Sequence, residues 1–466
     1  MNAPFSPSPI TRALAGLCLA LGSSLAAGAG FQLNESSASG LGNAFAGGAA
    51  IAEDATTLWS NAAGMTRLTR PQGVAVLHLI TPSIHFKDEG SKAATTGAQP
   101  LGGDGGDAGG LNVVPGLFVV APLGPHVSAG VGVSAPWGLV TEYDADWIGR
   151  YQGTKSSIRT INLNPALAWK AGDRLSLGFG LNVQRISAEF NSQVNRSAAL
   201  LGAGLRAGLP AATLGALGQA TARLDSQVSV KGDDTATGWN AGLLWNLDAD
   251  ARVGLSYRSR IKYRIDGRSR VTSAPLPAAA TPFAALAAAV DAAFDTPVTS
   301  QVELPAIANL SVFRQLDARW DVMVDAQWTE WSTIETLSFV RPDGSVLQST
   351  PEFFKDSWKL ALGANYRPGG PWTLRGGVAV DQTPVRTEFR TPRLPDADRT
   401  WLTLGAQYAP DSRFRFDVGA AYIWSRKATI DASGDAATGG AATYARLLGH
   451  YDSHTVVLSA QVGMAF

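Results

Sequence analysis

Residues 455–466 alternate without a break: Val456, Leu458, Ala460, Val462, Met464 and Phe466 are apolar, with Thr455, Ser459, Gln461 and Gly463 between them. Side chains at period two lie on opposite faces of a strand, so this segment predicts one greasy face and one polar or small face. Trp320, Val322, Val324, Ala326 and Trp328 repeat the pattern, as do Trp358, Leu360, Leu362, Ala364 and Tyr366. So do Leu402, Leu404, Ala406 and Tyr408, and then Phe414, Phe416, Val418, Ala420, Tyr422 and Trp424. Their opposite faces hold Asp321, Asp325 and Gln327, then Lys359 and Asn365, Thr403 and Gln407, and Arg413, Arg415 and Asp417. Charges recurring on one face of strands need water or partners, so that face lines an interior while the apolar face meets lipid. A last strand ending on Phe466 is how a membrane barrel closes.

The connections between runs alternate between short and long. Gly172-Asp173-Arg174, Asp248-Ala249-Asp250, Asp317-Ala318-Arg319, Pro368-Gly369-Gly370 and Pro410-Asp411-Ser412 are turn chemistry. Long connections cover roughly 87–111, 138–155, 192–227, 268–300, 340–355, 387–398 and 432–452. Short turns at one rim and long loops at the other, around about fourteen strands between Gly73 and Phe466, predict an all-β transmembrane barrel of antiparallel strands. Two long loops are apolar: 199–224 and 278–294 are rich in Ala and Leu and predict short helices, broken at Pro210 and starting after Pro282. They either pack on each other over the barrel mouth or offer a hydrophobic landing surface outside the cell.

Residues 13–29, after Arg12, form an apolar stretch closing on small residues, the anatomy of a secretory signal peptide. It is shorter than the ~20 apolar residues that a spanning helix needs. Residues 1–28 are therefore expected to be removed, with cleavage between Ala26 and Ala29. Cys18, the single cysteine, falls within them, which leaves no disulfide or thiol chemistry. Residues 29–65, within the 29–72 that precede the first strand, do not alternate, yet Phe31, Leu33, Leu41, Phe45, Ile51, Leu58, Trp59 and Met65 are too apolar for a solvated tail. This segment is expected to plug the lumen as a hatch, with the barrel spanning 73–466.

Composition narrows the function. With 38 basic and 38 acidic side chains the chain is neutral, which argues against a nucleic-acid partner. The 51 glycines and 13 tryptophans suit twisted strands and interfacial aromatic girdles. No Gly-x-Ser-x-Gly elbow or His-Glu-x-x-His pair occurs, so neither an enzyme nor a cofactor is expected. Gly102-Gly103-Asp104-Gly105-Gly106-Asp107 is similar to a calcium-binding repeat but occurs once, where such sites need stacked copies.

The hatch reads Gly30-Phe31-Gln32-Leu33-Asn34-Glu35, then Ser39-Gly40-Leu41-Gly42, Ala49-Ala50-Ile51-Ala52, Asp54-Ala55 and Asn61-Ala62-Ala63-Gly64-Met65. Further on come Gly138-Leu139-Val140-Thr141-Glu142-Tyr143, Trp147-Ile148-Gly149-Arg150-Tyr151, Gly238-Trp239-Asn240-Ala241-Gly242, Phe354-Lys355-Asp356-Ser357 and Pro395-Asp396-Ala397-Asp398-Arg399. Together these resemble the FadL-type outer-membrane transporters of long-chain fatty acids, or of toluene and related hydrocarbons, over nearly the whole mature chain.

The resemblance implies a monomer in the bacterial outer membrane, folded by the barrel assembly machinery and surrounded by outer-membrane lipid and lipopolysaccharide. It implies that Phe31 is the apolar tip of a mobile amino terminus in a luminal pocket. It places the family's Asn-Pro-Ala hatch motif on Asn61-Ala62-Ala63, where the proline is missing and the backbone is less restricted. It also implies a kinked third strand at Ala135-Pro136-Trp137-Gly138 that opens a lateral gap. Pro136 cannot donate a ladder hydrogen bond and Gly138 lacks packing, although a proline at a strand's end would read the same way. The family's carboxylate-binding cations fall near Ser192 and Thr350, so Lys355, Arg196, Arg159, Arg185 and Lys262 are the candidates to replace them. A pocket without a paired cation would favour neutral aromatic hydrocarbons. From other classes, a lipid hydrolase or an adhesin barrel stands as the alternative.

Overall fold

The structure, a computed structural model, describes residues 29–433 and 440–466; the expected signal segment with Cys18 lies outside the described residues. Fourteen antiparallel strands close a barrel: β1 (Gln72–Asp88), β2 (Asn112–Pro122), β3 (Val127–Ser134, continued by Gly138–Glu142), β4 (Lys155–Lys170) and β5 (Leu175–Asn195). Then follow β6 (Asp225–Asn246), β7 (Ala251–Arg258, continued by Ile261–Ser273), β8 (Thr296–Leu304, continued by Ile307–Gln315) and β9 (Trp320–Thr329). The last five are β10 (Ser357–Gly369), β11 (Trp372–Asp381), β12 (Arg399–Tyr408), β13 (Phe414–Ser425) and β14 (Leu447–Ala465). Each pairs with its neighbour, and β14 closes on β1 from Gln72↔Ala465 to Asp88↔Gly449. Closure leaves no long edge strand to aggregate.

Burial is inverted relative to a water-soluble sheet. Leu167, Phe179, Val324, Leu360 and Leu362 are exposed on the outer wall, whereas Asp321, Asp325, Lys359, Asn365 and Asp417 are buried inside. Trp169, Trp245, Trp320 and Trp372 ring the wall near the short turns, and Trp239, Trp358 and Trp424 ring it nearer the long loops. These are the aromatic girdles of a bilayer-spanning barrel. Strand takes only the ends of the long connections 192–227 and 268–300, where β5 runs to Asn195, β6 starts at Asp225, β7 runs to Ser273 and β8 starts at Thr296. Their middles are helical, at Arg196–Arg206, Ala211–Ala220 and Ala284–Phe294, as their Ala and Leu content predicts.

Residues 29–71 fill the lumen. Helix Ala38–Gly42 lies flat against a patch of the wall made of glycines, because Gly363 faces Gly377 and Gly405 faces Gly419 across the ladder. A Cβ on Gly377 would stand 2.4 Å from the Asn43 carbonyl carbon, and one on Gly419 would stand 2.6 Å from the Ala38 oxygen. Buried charges fasten the plug: Arg375 reaches Glu53 at 3.1 Å and Asp417 at 3.4 Å, and Arg252 donates to the Ala50 carbonyl at 2.9 Å. Arg258 lies over the Trp59 ring at 3.5 Å. Such groups tolerate burial only when paired, so plug and wall fix each other.

Candidate ligand pocket and its gate

Pro136 interrupts β3, and the chain beyond it changes partners. Up to Ser134 the strand pairs with both β2 and β4; from Gly138 onward it pairs with β4 alone. Residues Asn112 to Gly116 of β2 are left without a β3 partner, which opens a window in the wall beside the kink. The donors freed there turn elsewhere. Trp137 N–H donates to Thr160 Oγ1 at 3.0 Å, and Gly138 N–H donates inward to the Phe31 carbonyl at 2.8 Å. Leu33 N–H donates back to the Pro136 carbonyl at 2.9 Å. The amino-terminal segment thus takes up the hydrogen bonds that a ladder would have used.

Phe31 is buried between two tryptophans, with ring centroids 5.8 Å from Trp137 and 4.9 Å from Trp331; Trp331 in turn meets Phe354 at 6.0 Å. Gly30 makes this approach possible: its φ of +61° suits glycine, and a Cβ there would stand 2.6 Å from the Trp331 ring. Gly30 N–H is held by Asp396 at 2.8 Å.

Above Phe31 lies a pocket with about 1010 Å³ of unfilled space, partly open to the outside. Ile158, Ile186, Phe190, Val298, Leu304 and Phe339 supply much of its apolar wall. Two ionisable groups among its lining are buried and sit on loops beyond the membrane-spanning strands: Arg393 and Glu352. Burial draws the Arg393 guanidinium down to about 10, against the pull of Glu352, so it stays charged at neutral pH. Burial pushes the Glu352 carboxyl up to about 8, against the pull of Arg393, so it is mostly protonated there. Arg393 also donates to the Lys155 carbonyl at 3.3 Å and lies over the Phe190 ring at 5.5 Å. Below Phe31 a second, partly open cavity with about 770 Å³ of unfilled space is lined instead by Asn240, Arg258, Asn309, Asp325 and Lys359 among others, and also by Pro136.

The structure corrects the list of candidate cations. Arg159 and Arg185 leave the lumen: both are exposed on the outer wall, sharing the parity of lipid-facing Ile161 and Val183. Lys262 is also outside, 3.6 Å from Glu303. Lys355 is exposed on a loop. Arg196 is buried but committed, at 2.6 Å from Asp291. That ion pair ties helix Arg196–Arg206 to helix Ala284–Phe294, and Leu200, Leu217, Ala287 and Val290 form a common core with helix Ala211–Ala220. The two apolar loops therefore pack on each other. Asn61 anchors the hatch: Nδ2 donates to Ala49 O at 2.7 Å and Leu243 O at 3.0 Å, and Oδ1 accepts from Ala63 N–H at 3.0 Å. Those bonds hold the corner where the proline is missing. Arg393, Glu352 and Trp331 were not among the expected site residues; they lie on connections without alternation.

Comparison with known proteins gives the family and bears out the fold. The profile of the family described as "Outer membrane protein transport protein (OMPP1/FadL/TodX)" matches residues 19–466. A long-chain fatty acid transport protein of Escherichia coli O6:H1 is 32% identical over 427 residues, 90% of this chain and 92% of that one. Outer membrane protein P1 of Haemophilus influenzae is 30% identical, covering 86% of each. Among solved structures, a Pseudomonas aeruginosa FadL homologue superposes with a TM-score of 0.83 at 25% identity, over 94% of this chain and all of that one. The Pseudomonas putida toluene transporter TodX shares the fold at a TM-score of 0.63 and 16% identity, over 94% of this chain and all of its own.

Proposed function

This chain belongs to the OMPP1/FadL/TodX family, outer-membrane barrels that transport hydrophobic molecules and catalyse no reaction, and from that premise we propose that it carries long-chain fatty acids. The acyl chain lies in the apolar pocket above Phe31, the carboxylate pairs with Arg393, and the ligand leaves sideways through the window beside Pro136. The observation that carries this reading is one buried cation, Arg393, in a mainly apolar pocket whose other buried ionisable group, Glu352, is mostly protonated at neutral pH. Each buried methylene contributes about 0.8 kcal/mol, which a hydrocarbon chain gains with or without charge. A carboxylate, however, enters an apolar site only beside a cation. Toluene gains nothing from Arg393.

Phe31 fits the role of gate because its backbone bonds the kink while its ring closes the pocket floor. Displacing it frees Gly138 N–H at the window's margin, so filling the pocket and loosening the window become one event. Lateral exit suits an apolar solute, which gains nothing by crossing the polar cavity below. The test is direct binding of oleate and of toluene to the purified barrel, alongside uptake by cells whose protein lacks residues 29–65. Oleate should bind more tightly, and uptake should change. Preferential binding of toluene would favour a hydrocarbon channel, and unchanged uptake would remove the gate.

A further inference from the structure

On the outer wall beyond the apolar band, β4 to β7 carry a basic face, to which the proposed transport route assigns no role. Arg159, Arg185, Lys231, Arg264, Arg268 and Arg270 all point outward on the long-loop side of the barrel, with Glu189, Asp233 and Asp266 between them. Register brings them together. Arg185 is level with Thr235, Arg159 pairs with Ser187, Lys231 faces both Glu189 and Arg268, and Ser229 faces Arg270. Most of them line an open groove on the wall, from Ser157 and Arg159 across to Arg268 and Arg270. Arg185, Lys231 and Arg268 are held by Asp233, Glu189 and Asp295 at 3.0, 3.2 and 2.6 Å. Arg159, Arg264 and Arg270 have no ion-pair partner among the described residues.

We propose that this face binds the anionic glycolipid of the outer leaflet, lipopolysaccharide. Ile161 and Val183 mark the top of the lipid-facing band on their strands, and Arg159 and Arg185 are the next outward residues. Cations at that height meet head-group phosphates, and Lys231, Arg268 and Arg270 continue upward along the anionic sugar core. Guanidinium pairs phosphate through two parallel hydrogen bonds, which suits a face built mainly of arginine. The acyl chains would pack on Leu163, Phe179 and Leu181 below.

The test uses the full barrel in detergent, titrated with rough lipopolysaccharide and followed by native mass spectrometry, with phosphatidylglycerol and inorganic phosphate as comparison probes. The triple variant Arg159→Glu, Arg264→Glu, Arg270→Glu should bind lipopolysaccharide at least tenfold more weakly. A control reversing Arg319 and Arg413 at the opposite rim should bind as wild type does. Equal binding by the triple variant, an equal loss in the control, or phosphatidylglycerol binding as tightly as lipopolysaccharide would overturn the assignment. If the triple variant fails to fold, as judged by heat-modifiable migration, the three single Arg→Gln variants decide: each should weaken binding about threefold, and no loss in any of them overturns it.

Discussion

The two cavities on either side of Phe31 are similar in size and opposite in chemistry. The upper one is walled mainly by Ile, Val, Leu and Phe, with Arg393 and Glu352 as its buried ionisable groups; the lower one is walled largely by polar side chains, among them Asn240, Gln327, Asp325, Arg258 and Lys359. Phe31 lines the upper one, and its neighbours Gln32 and Leu33 line the lower one. A hydrocarbon chain released downward would displace water from polar side chains and reach a plug fastened by Arg375, Glu53 and Asp417. Released sideways, it meets lipid. On the proposed route the contrast supplies direction, because a movement of Phe31 that opened the floor would also withdraw its carbonyl from Gly138 N–H at the window's margin.

The largest test of this contrast removes the upper cation. Arg393→Leu should weaken oleate binding roughly tenfold to a hundredfold, the worth of a charge-assisted hydrogen bond of about 1.5–3 kcal/mol, and should leave toluene binding within about twofold. Isothermal titration of both ligands reads it directly. Equal losses for the two would mean that Arg393 shapes the pocket rather than pairing with the carboxylate. Phe31→Ala comes next. Without the ring between Trp137 and Trp331, the two cavities merge and the ligand loses apolar contact, so affinity for either ligand should fall roughly fivefold to tenfold, readable in the same titrations.

A smaller effect comes from pH. The Glu352 carboxyl, raised to about 8, is mostly protonated at pH 7 and ionises as pH rises through 8. The ionised form competes with the ligand carboxylate for Arg393, so oleate affinity should fall several-fold between pH 7 and 9. The sign follows from the direction of the shift: a raised acid acquires its charge late, and that charge repels an anionic ligand. Toluene affinity should stay flat, and Glu352→Gln should abolish the slope. A slope that survives in that variant would assign the titration to another group.

Alternation made the barrel legible because a wall with lipid on one side and buried polar groups on the other imposes period two on every strand. It assigned both faces of β9, β10, β12 and β13, and Pro136 marked the kink by its missing donor. The luminal cation was not legible. Arg159 and Arg185 suit the pocket by charge, yet their parity with Ile161 and Val183 puts them outside. Arg393 has no such signal. It reaches the pocket from a loop whose path depends on contacts far apart in sequence, including Thr141 Oγ1 and Tyr143 Oη donating to the carbonyls of Arg393 and Pro392.

The smallest effect on ligand is expected from Asn61, and it asks whether the lower half of the comparison is rigid. Where the resemblance implies a proline, this chain has Ala62, and a freer backbone would let the plug rearrange beneath the gate. Asn61 opposes this with three hydrogen bonds, one within its own turn, one to Ala49 and one to β6 at Leu243. Gly242 leaves room for it, since a Cβ there would stand 1.9 Å from Asn61 Oδ1. Asn61→Ala deprives buried polar groups of partners, at a cost of about 1–3 kcal/mol. Hydrogen exchange should therefore accelerate at least fivefold over residues 49–65, while oleate affinity changes less than about twofold. If affinity falls along with protection, the plug supports the pocket from below, and Phe31 does not divide the lumen into independent halves.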